Sequence, residues 1–136
     1  MGKVIITLFD HRLCRLFAVL WMAVIFWLSS LPDIPGPDLF SAHDKIGHFL
    51  VYAMLGVFVS RGLSPWKIGA GWMGIATATI LVGAYGATDE IHQVFVPGRD
   101  ASMLDLLFDA MGGFFSSFLV LRYLNIKGPD MPRSEG

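Results

Sequence analysis

The residues of this chain that could do chemistry are concentrated in two segments, residues 41–52 and 88–109. In the first segment, Asp44, His48 and Tyr52 are four residues apart, so they share one face of a helix. The second segment combines carboxylates with imidazole, amide, guanidinium and hydroxyl groups: Asp89, Glu90, His92, Gln93, Arg99, Ser102, Asp105 and Asp109. Side chains of these types transfer protons in catalysis or bind ions and charged ligands.

Lys45 and Arg99 are the only basic residues within these two segments. A guanidinium binds a phosphate or carboxylate through two parallel hydrogen bonds, whereas an ammonium binds it as a point charge. The alternative is that both residues form structural ion pairs with the neighbouring acids, because polar groups in membrane bundles often pair with one another. The two interpretations are compatible, since paired acids would also hold the cations in position.

A metal site is an alternative role for the imidazoles and carboxylates of the two segments. The residue types suit zinc or a similar divalent ion, and the candidates are His48, His92, Asp44, Asp89 and Glu90. However, no compact ligand pair such as His-Glu-x-x-His is present, and Lys45 and Arg99 would repel a cation. We therefore expect no metal and no other cofactor.

Four apolar spans must position these residues, at about 13–31, 44–63, 68–88 and 101–122. The chain has 136 residues, of which 54% are hydrophobic and only 15% charged, against roughly 25% charged in soluble domains. Each span is close to the length of about 17–25 residues that crosses a bilayer. The sequence therefore predicts one all-α domain over residues 1–136, a membrane-embedded bundle of four transmembrane helices, with a flexible tail at 123–136. A cleaved signal peptide is disfavoured because no small-residue cleavage site follows the first span.

Small residues recur at spacings of four, which lets helices approach closely. Such pairs are Gly74 with Ala78, Gly83 with Ala87, and Gly112 with Ser116. Residues 69–74 form a Gly-x-Gly-x-x-Gly pattern, but no strand precedes them, so helix packing explains these glycines better than dinucleotide binding.

The distribution of basic residues predicts the orientation of the spans. Eight of the ten Lys and Arg residues lie before the first span, between the second and third, or after the fourth. Because short loops rich in Lys and Arg stay in the cytoplasm, both termini should be cytoplasmic. The segments 32–44 and 89–100 should face outward. The net charge of −1 offers no basic field for nucleic acid.

The ordered set of polar motifs resembles the VanZ-like family of small bacterial membrane proteins. The matching motifs are Asp44-Lys45-x-x-His48-Phe49 with Tyr52 and Gly56, Asp89-Glu90-x-His92-Gln93, and Pro97-Gly98-Arg99 with Ser102, Asp105, Asp109 and Gly112. The resemblance covers residues 28–122. It implies a multi-pass protein of the bacterial inner (cytoplasmic) membrane. It also implies a link to glycopeptide resistance of the teicoplanin type.

Our leading hypothesis is an outward-facing pocket that binds an anionic lipid or a lipid-linked precursor of the cell envelope. Lys45 and Arg99 would hold the anion, and the acids at 44, 89, 105 and 109 would position these two cations. Ser102 shares a helix face with Asp105 and Asp109. The side chains that would contact the ligand or move protons are His48, Tyr52, Glu90, His92 and Gln93.

Two other functions remain open from the sequence. One is a membrane-embedded hydrolase or transferase acting on the same class of molecule. Its candidate catalytic residues are His48, Glu90, His92, Asp105 and Asp109. The Arg99-x5-Asp105-x3-Asp109 spacing loosely resembles membrane phosphatases of the phosphatidic acid type, with Asp in place of the nucleophilic His. The other is a non-catalytic subunit that stabilises a membrane protein partner. A homo-oligomer is compatible with each hypothesis.

Overall fold

The structure, a computed structural model, describes residues 10–32, 41–64 and 71–126, without the side chains of 41–43 and 123–126. These residues form four helices and no strand, as the sequence predicts. The helices are α1 (His11–Ser29), α2 (Ser41–Leu63), α3 (Gly71–Gln93) and α4 (Met103–Ile126).

The largest difference from the predicted spans is at the end of α3, which continues to Gln93 instead of stopping at residue 88. Residues 89–93 belong to a segment predicted to connect two spans, but Asp89, Glu90 and Gln93 are buried, so the helix extends through them. At the other end of the chain, α4 continues to Ile126, so residues 123–126 of the predicted tail are helical. Residues 127–136 lie outside the described part of the chain.

Short polar side chains set where two of the helices begin. Asp10 Oδ1 accepts a hydrogen bond from Arg12 N at 2.7 Å, and this bond lowers the pKa of the Asp10 carboxyl. Ser102 Oγ accepts one from Asp105 N at 3.3 Å at the start of α4. Both are N-cap interactions, which satisfy backbone donors that have no partner within the helix. Between α3 and α4 the chain turns at Gly98, whose φ of 80° suits glycine.

The helices form an up-down-up-down bundle. The end of α1 lies beside the end of α3, where Ser30 is hydrogen-bonded to His92. Near the other end, Gly62 of α2 packs against Arg15 of α1. The helix pair with the most extensive contact is α2 and α4. This topology brings the starts of α2 and α4 and the ends of α1 and α3 together at one end of the bundle.

Glycines allow the close approach of the central helices. A Cβ added at Gly112 would overlap the carbonyl oxygen of Phe49, and one at Gly113 would lie 2.7 Å from Val82 Cγ1. The predicted role of Gly112 in close packing therefore agrees with the structure. On α3, a Cβ at Gly86 would lie 2.7 Å from Asp109 Oδ2, whereas one at Gly83 would make an ordinary contact at 3.8 Å.

Three helical segments are long and apolar enough to cross a membrane: His11–Ser29, Asp44–Leu63 and Met103–Arg122. Many large apolar side chains on the outside of the bundle are exposed, for example Val19, Ile80 and Leu119. Apolar groups outside and buried polar groups inside are the arrangement expected of a protein in lipid. α3 is not among these segments, since its glycines and threonines lower its mean hydropathy.

Candidate functional site

Most of the chemically interesting residues meet at the end of the bundle where α2 and α4 begin. We call this set the polar cluster; its members are Asp44, Lys45, His48, Tyr52, Asp89, Glu90, Gln93, Ser102, Asp105 and Asp109. The structure thus brings residues 44–52 of α2, the last turns of α3 and the first turns of α4 into one region.

Two contacts between polar side chains connect α2 with α4. His48 Nδ1 and Asp109 Oδ1 are hydrogen-bonded at 2.9 Å, and Lys45 Nζ lies 3.4 Å from Asp105 Oδ1. Asp109 is 0% exposed, although it lies in an apolar helix. A carboxylate at the centre of a membrane helix costs about 2.5–3.5 kcal/mol, and this cost disfavours a position facing lipid. The burial of Asp109 agrees with that expectation.

A buried hydrogen-bond network connects α2 with α3. Tyr52 OH donates to Asp89 Oδ2 at 3.1 Å, and Gln93 Nε2 donates to the same oxygen at 3.2 Å. Gln93 follows Asp89 by four residues, so the extension of α3 beyond residue 88 is what places the amide above the carboxylate. All three side chains are buried.

Glu90 connects α3 with α4. Its Oε2 accepts a hydrogen bond of 2.6 Å from the backbone N–H of Ser102, the residue that caps α4. A buried backbone donor bound to a charged acceptor is among the stronger hydrogen bonds in proteins. Glu90 therefore fixes the start of α4, and with it Asp105 and Asp109, relative to α3.

Each of three buried carboxylates keeps one oxygen without a hydrogen-bond partner among the described residues. These oxygens are Asp89 Oδ1, Glu90 Oε1 and Asp109 Oδ2. Buried polar atoms are nearly always paired, because an unpaired one costs about 1–3 kcal/mol or more if it is charged. Three such atoms in one cluster indicate a place where a proton, a water molecule, an ion or a ligand is held.

A cavity of about 220 Å³ adjoins the cluster. Its polar wall consists of Ser29, Asp44, His48, Tyr52, Asp89, Gln93 and Arg99, and its apolar wall includes Ile25, Leu28 and Val51. At roughly 30 Å³ per water molecule, the volume equals about seven waters, which is enough for a phosphate-sized group.

Comparison with known proteins identifies the family. A family model described as VanZ/LLP1 matches residues 14–124, which contain the whole polar cluster. The chain belongs to the VanZ/LLP1 family. The resemblance inferred from the polar motifs is thereby confirmed. The searches of curated proteins and of solved structures find no match.

Two predicted site residues of this VanZ/LLP1 protein lie apart from the cluster's centre. His92 Nε2 is hydrogen-bonded to Ser30 Oγ at 2.9 Å, and the ring packs on Phe26 at a centroid distance of 4.5 Å. Lys45 contacts Asp105 but is not among the residues that line the cavity.

Arg99 lines the cavity, but its interaction differs from the predicted pairing with acids. Its Nε donates to the carbonyl oxygen of Leu31 at 3.0 Å, just after α1. The sequence did not predict that Ser29, Ser30 and Leu31 contact the cavity or its neighbouring residues. The signal was present, since two adjacent serines before Pro32 end an otherwise apolar span.

Proposed function

We propose that this protein crosses the bacterial cytoplasmic membrane four times, with both termini in the cytoplasm and the polar cluster facing outward. With 23 residues, α3 is about 35 Å long at 1.5 Å per residue, which matches a hydrocarbon core of about 30 Å. The up-down-up-down packing brings the starts of α1 and α3 and the ends of α2 and α4 to one end of the bundle. In the sequence, eight of the ten basic residues lie in these helix ends or in the segments that precede, connect or follow them, which favours the cytoplasmic side for this end.

We further propose that the cavity binds the anionic head group of a lipid or of a lipid-linked envelope precursor. The observation that carries this proposal is Arg99 at the cavity wall. Its Nε is engaged by Leu31, while its two terminal amino groups have no partner among the described residues. Such a guanidinium offers a bidentate surface to a phosphate. His48, Tyr52 and Gln93 add polar groups around the same space.

The apolar wall of the cavity supports a lipid as the ligand. Leu28 lines the cavity and is itself exposed on the outer surface of α1, next to the exposed Trp27. A head group in the cavity would therefore have its acyl chain along α1, within the hydrocarbon region. The link to glycopeptide resistance implied by the family resemblance would follow if the bound lipid is an envelope precursor.

Retention of anionic lipid in nanodiscs tests this function. We would prepare the protein with equal amounts of phosphatidylglycerol and phosphatidylcholine and count lipid adducts by native mass spectrometry. Arg99→Gln should lower phosphatidylglycerol retention at least tenfold, and Arg99→Lys should lower it less, because the charge remains but the planar fork is lost. A parallel arm with a polyprenyl pyrophosphate distinguishes an ordinary phospholipid from an envelope precursor.

Arg122→Gln is the matched control, since Arg122 is an exposed arginine at the opposite end of the bundle. It should retain phosphatidylglycerol as the unmodified protein does. If the Arg99 variants retain as much phosphatidylglycerol as Arg122→Gln does, the head-group function is rejected. That result would favour a subunit that stabilises a partner.

A hydrolase or transferase acting on the same head group is the second candidate, and the His48–Asp109 pair favours it. An imidazole held by a carboxylate at a cavity wall is suited to proton transfer. If the protein is such an enzyme, His48→Gln should abolish phosphate release from polyprenyl pyrophosphate. His92→Gln should leave it unchanged, because His92 lies outside the cavity.

A further inference from the structure

Two groups of side chains in the polar cluster place potential metal-ligand atoms close together. In each group one atom per residue lies within 4.8 Å of the others. The groups are His48 with Glu90 and Asp109, and His48 with Asp44 and Asp105. Since His48 belongs to both, the two groups are alternatives.

The surroundings favour the first group. In the second, Lys45 Nζ already lies 3.4 Å from Asp105 Oδ1, and Asp44 is exposed. In the first, Glu90 is 6% and Asp109 0% exposed. Each of these two acids also has a buried oxygen without a partner among the described residues, Glu90 Oε1 and Asp109 Oδ2. Of the two groups, the first is therefore the one whose buried carboxylate oxygens still lack a partner among the described residues.

We propose that His48, Glu90 and Asp109 bind one divalent transition-metal ion, such as Zn²⁺ or Mn²⁺. One imidazole and two carboxylates are a ligand set that these ions accept. Bonds of about 2.0–2.2 Å place the ligands of one ion about 3–4 Å apart, so small side-chain adjustments bring all three atoms onto one ion. The two carboxylates balance the double positive charge in a buried site.

The repulsion that argued against a metal in the sequence is weaker in the structure. Lys45 is paired with Asp105, and Arg99 is held by Leu31 on the cavity wall, where Glu90 and Asp109 do not contribute. The metal site rests on the three ligands alone and does not depend on head-group binding.

Metal titration of the full-length protein tests this site. After treatment with EDTA, the detergent-purified protein would be titrated with Mn²⁺, followed by electron paramagnetic resonance, and with Zn²⁺, followed by elemental analysis after desalting. We expect one ion per chain. Glu90→Gln should weaken binding more than tenfold, while its amide oxygen can still accept the Ser102 N–H and preserve the fold.

Asp100→Asn is the control, because Asp100 is an exposed acid between α3 and α4 that belongs to neither group of potential ligands. It should retain binding within about twofold. Zn²⁺ should also raise the Tm of the unmodified protein but not that of Glu90→Gln, since an ion that binds only the folded state stabilises it. The site would be rejected by absent binding, by an ion that Glu90→Gln retains and Asp105→Asn loses, or by an equal Tm rise in Glu90→Gln.

Discussion

The carboxylate of Asp109 in α4 lies against the backbone of Gly86 in α3. A Cβ placed on Gly86 would lie 2.7 Å from Asp109 Oδ2 and 3.1 Å from Asp109 Cβ. Asp109 therefore reaches His48 at 2.9 Å because the facing residue of α3 has no side chain. A glycine on one helix thus makes room for a buried acid on another.

Substitution of Gly86 should accordingly disturb the polar cluster as well as the packing. We expect Gly86→Ala to lower the free energy of unfolding by about 1–3 kcal/mol, as overpacking does, and to weaken Mn²⁺ binding by displacing Asp109. Gly83→Ala on the same helix is the control, since its Cβ would have its nearest contact 3.8 Å away, at Ala110 Cβ. Thermal unfolding in detergent and the metal titration measure both effects. Equal behaviour of the two variants would contradict the proposed fit.

Two tyrosine hydroxyls, that of the buried Tyr52 and that of the partly buried Tyr85, allow a comparison between stability and binding. Tyr52 OH donates to Asp89 Oδ2 at the cavity, whereas Tyr85 OH donates to the carbonyl oxygen of Met22 at 2.6 Å. Removing either donor leaves an acceptor with one partner fewer, so Tyr52→Phe and Tyr85→Phe should each lower the free energy of unfolding by about 0.5–1.5 kcal/mol.

Retention of phosphatidylglycerol separates the two tyrosine variants. It should fall in Tyr52→Phe, because Asp89 Oδ2 then keeps only the Gln93 donor among the described residues and repels an anion in the cavity more strongly, and it should stay unchanged in Tyr85→Phe. A parallel decrease in both variants would mean that general destabilisation, and not the cavity, controls lipid retention.

The membrane orientation can be tested by cysteine labelling. Cys14 is only 2% exposed, so its own failure to react would say nothing about topology. In a Cys14→Ser background, Arg12→Cys and Asp100→Cys place thiols at two exposed positions at opposite ends of the bundle. An impermeant maleimide added to intact cells should label position 100 and not position 12. Labelling only at position 12 would place the polar cluster on the cytoplasmic side.

The sequence was sufficient for the helical class and for most members of the polar cluster. Spacings of four residues put Asp44, His48 and Tyr52 on one helix face, and the cost of a carboxylate in lipid predicted that Asp109 faces the bundle interior. These inferences use only helix geometry and solvation, which are local properties of the chain.

The pairing of these residues needed the structure, because it depends on contacts between helices distant in sequence. Of the acids predicted to pair with Lys45 or Arg99, Asp105 does contact Lys45. Asp109 instead pairs with His48, and Asp89 accepts hydrogen bonds from Tyr52 and Gln93. The end of α3 was placed too early for the same reason. In a sequence, a run of polar residues predicts a loop. The structure was needed to show that groups on α2 and at the start of α4 partner this one.

The two proposed sites share His48, which leads to a final prediction that rests on both proposals. A divalent ion at His48, Glu90 and Asp109 would offset the negative charge of the carboxylates around the cavity, and so favour an anion beside Arg99. EDTA should therefore lower phosphatidylglycerol retention severalfold in the unmodified protein. In Glu90→Gln, which has lost the ion, EDTA should have no further effect, whereas in Arg122→Gln it should act as in the unmodified protein. Native mass spectrometry of the three proteins with and without EDTA measures this coupling. If EDTA leaves retention in the unmodified protein unchanged while Mn²⁺ binding is present, the ion and the head group occupy independent sites.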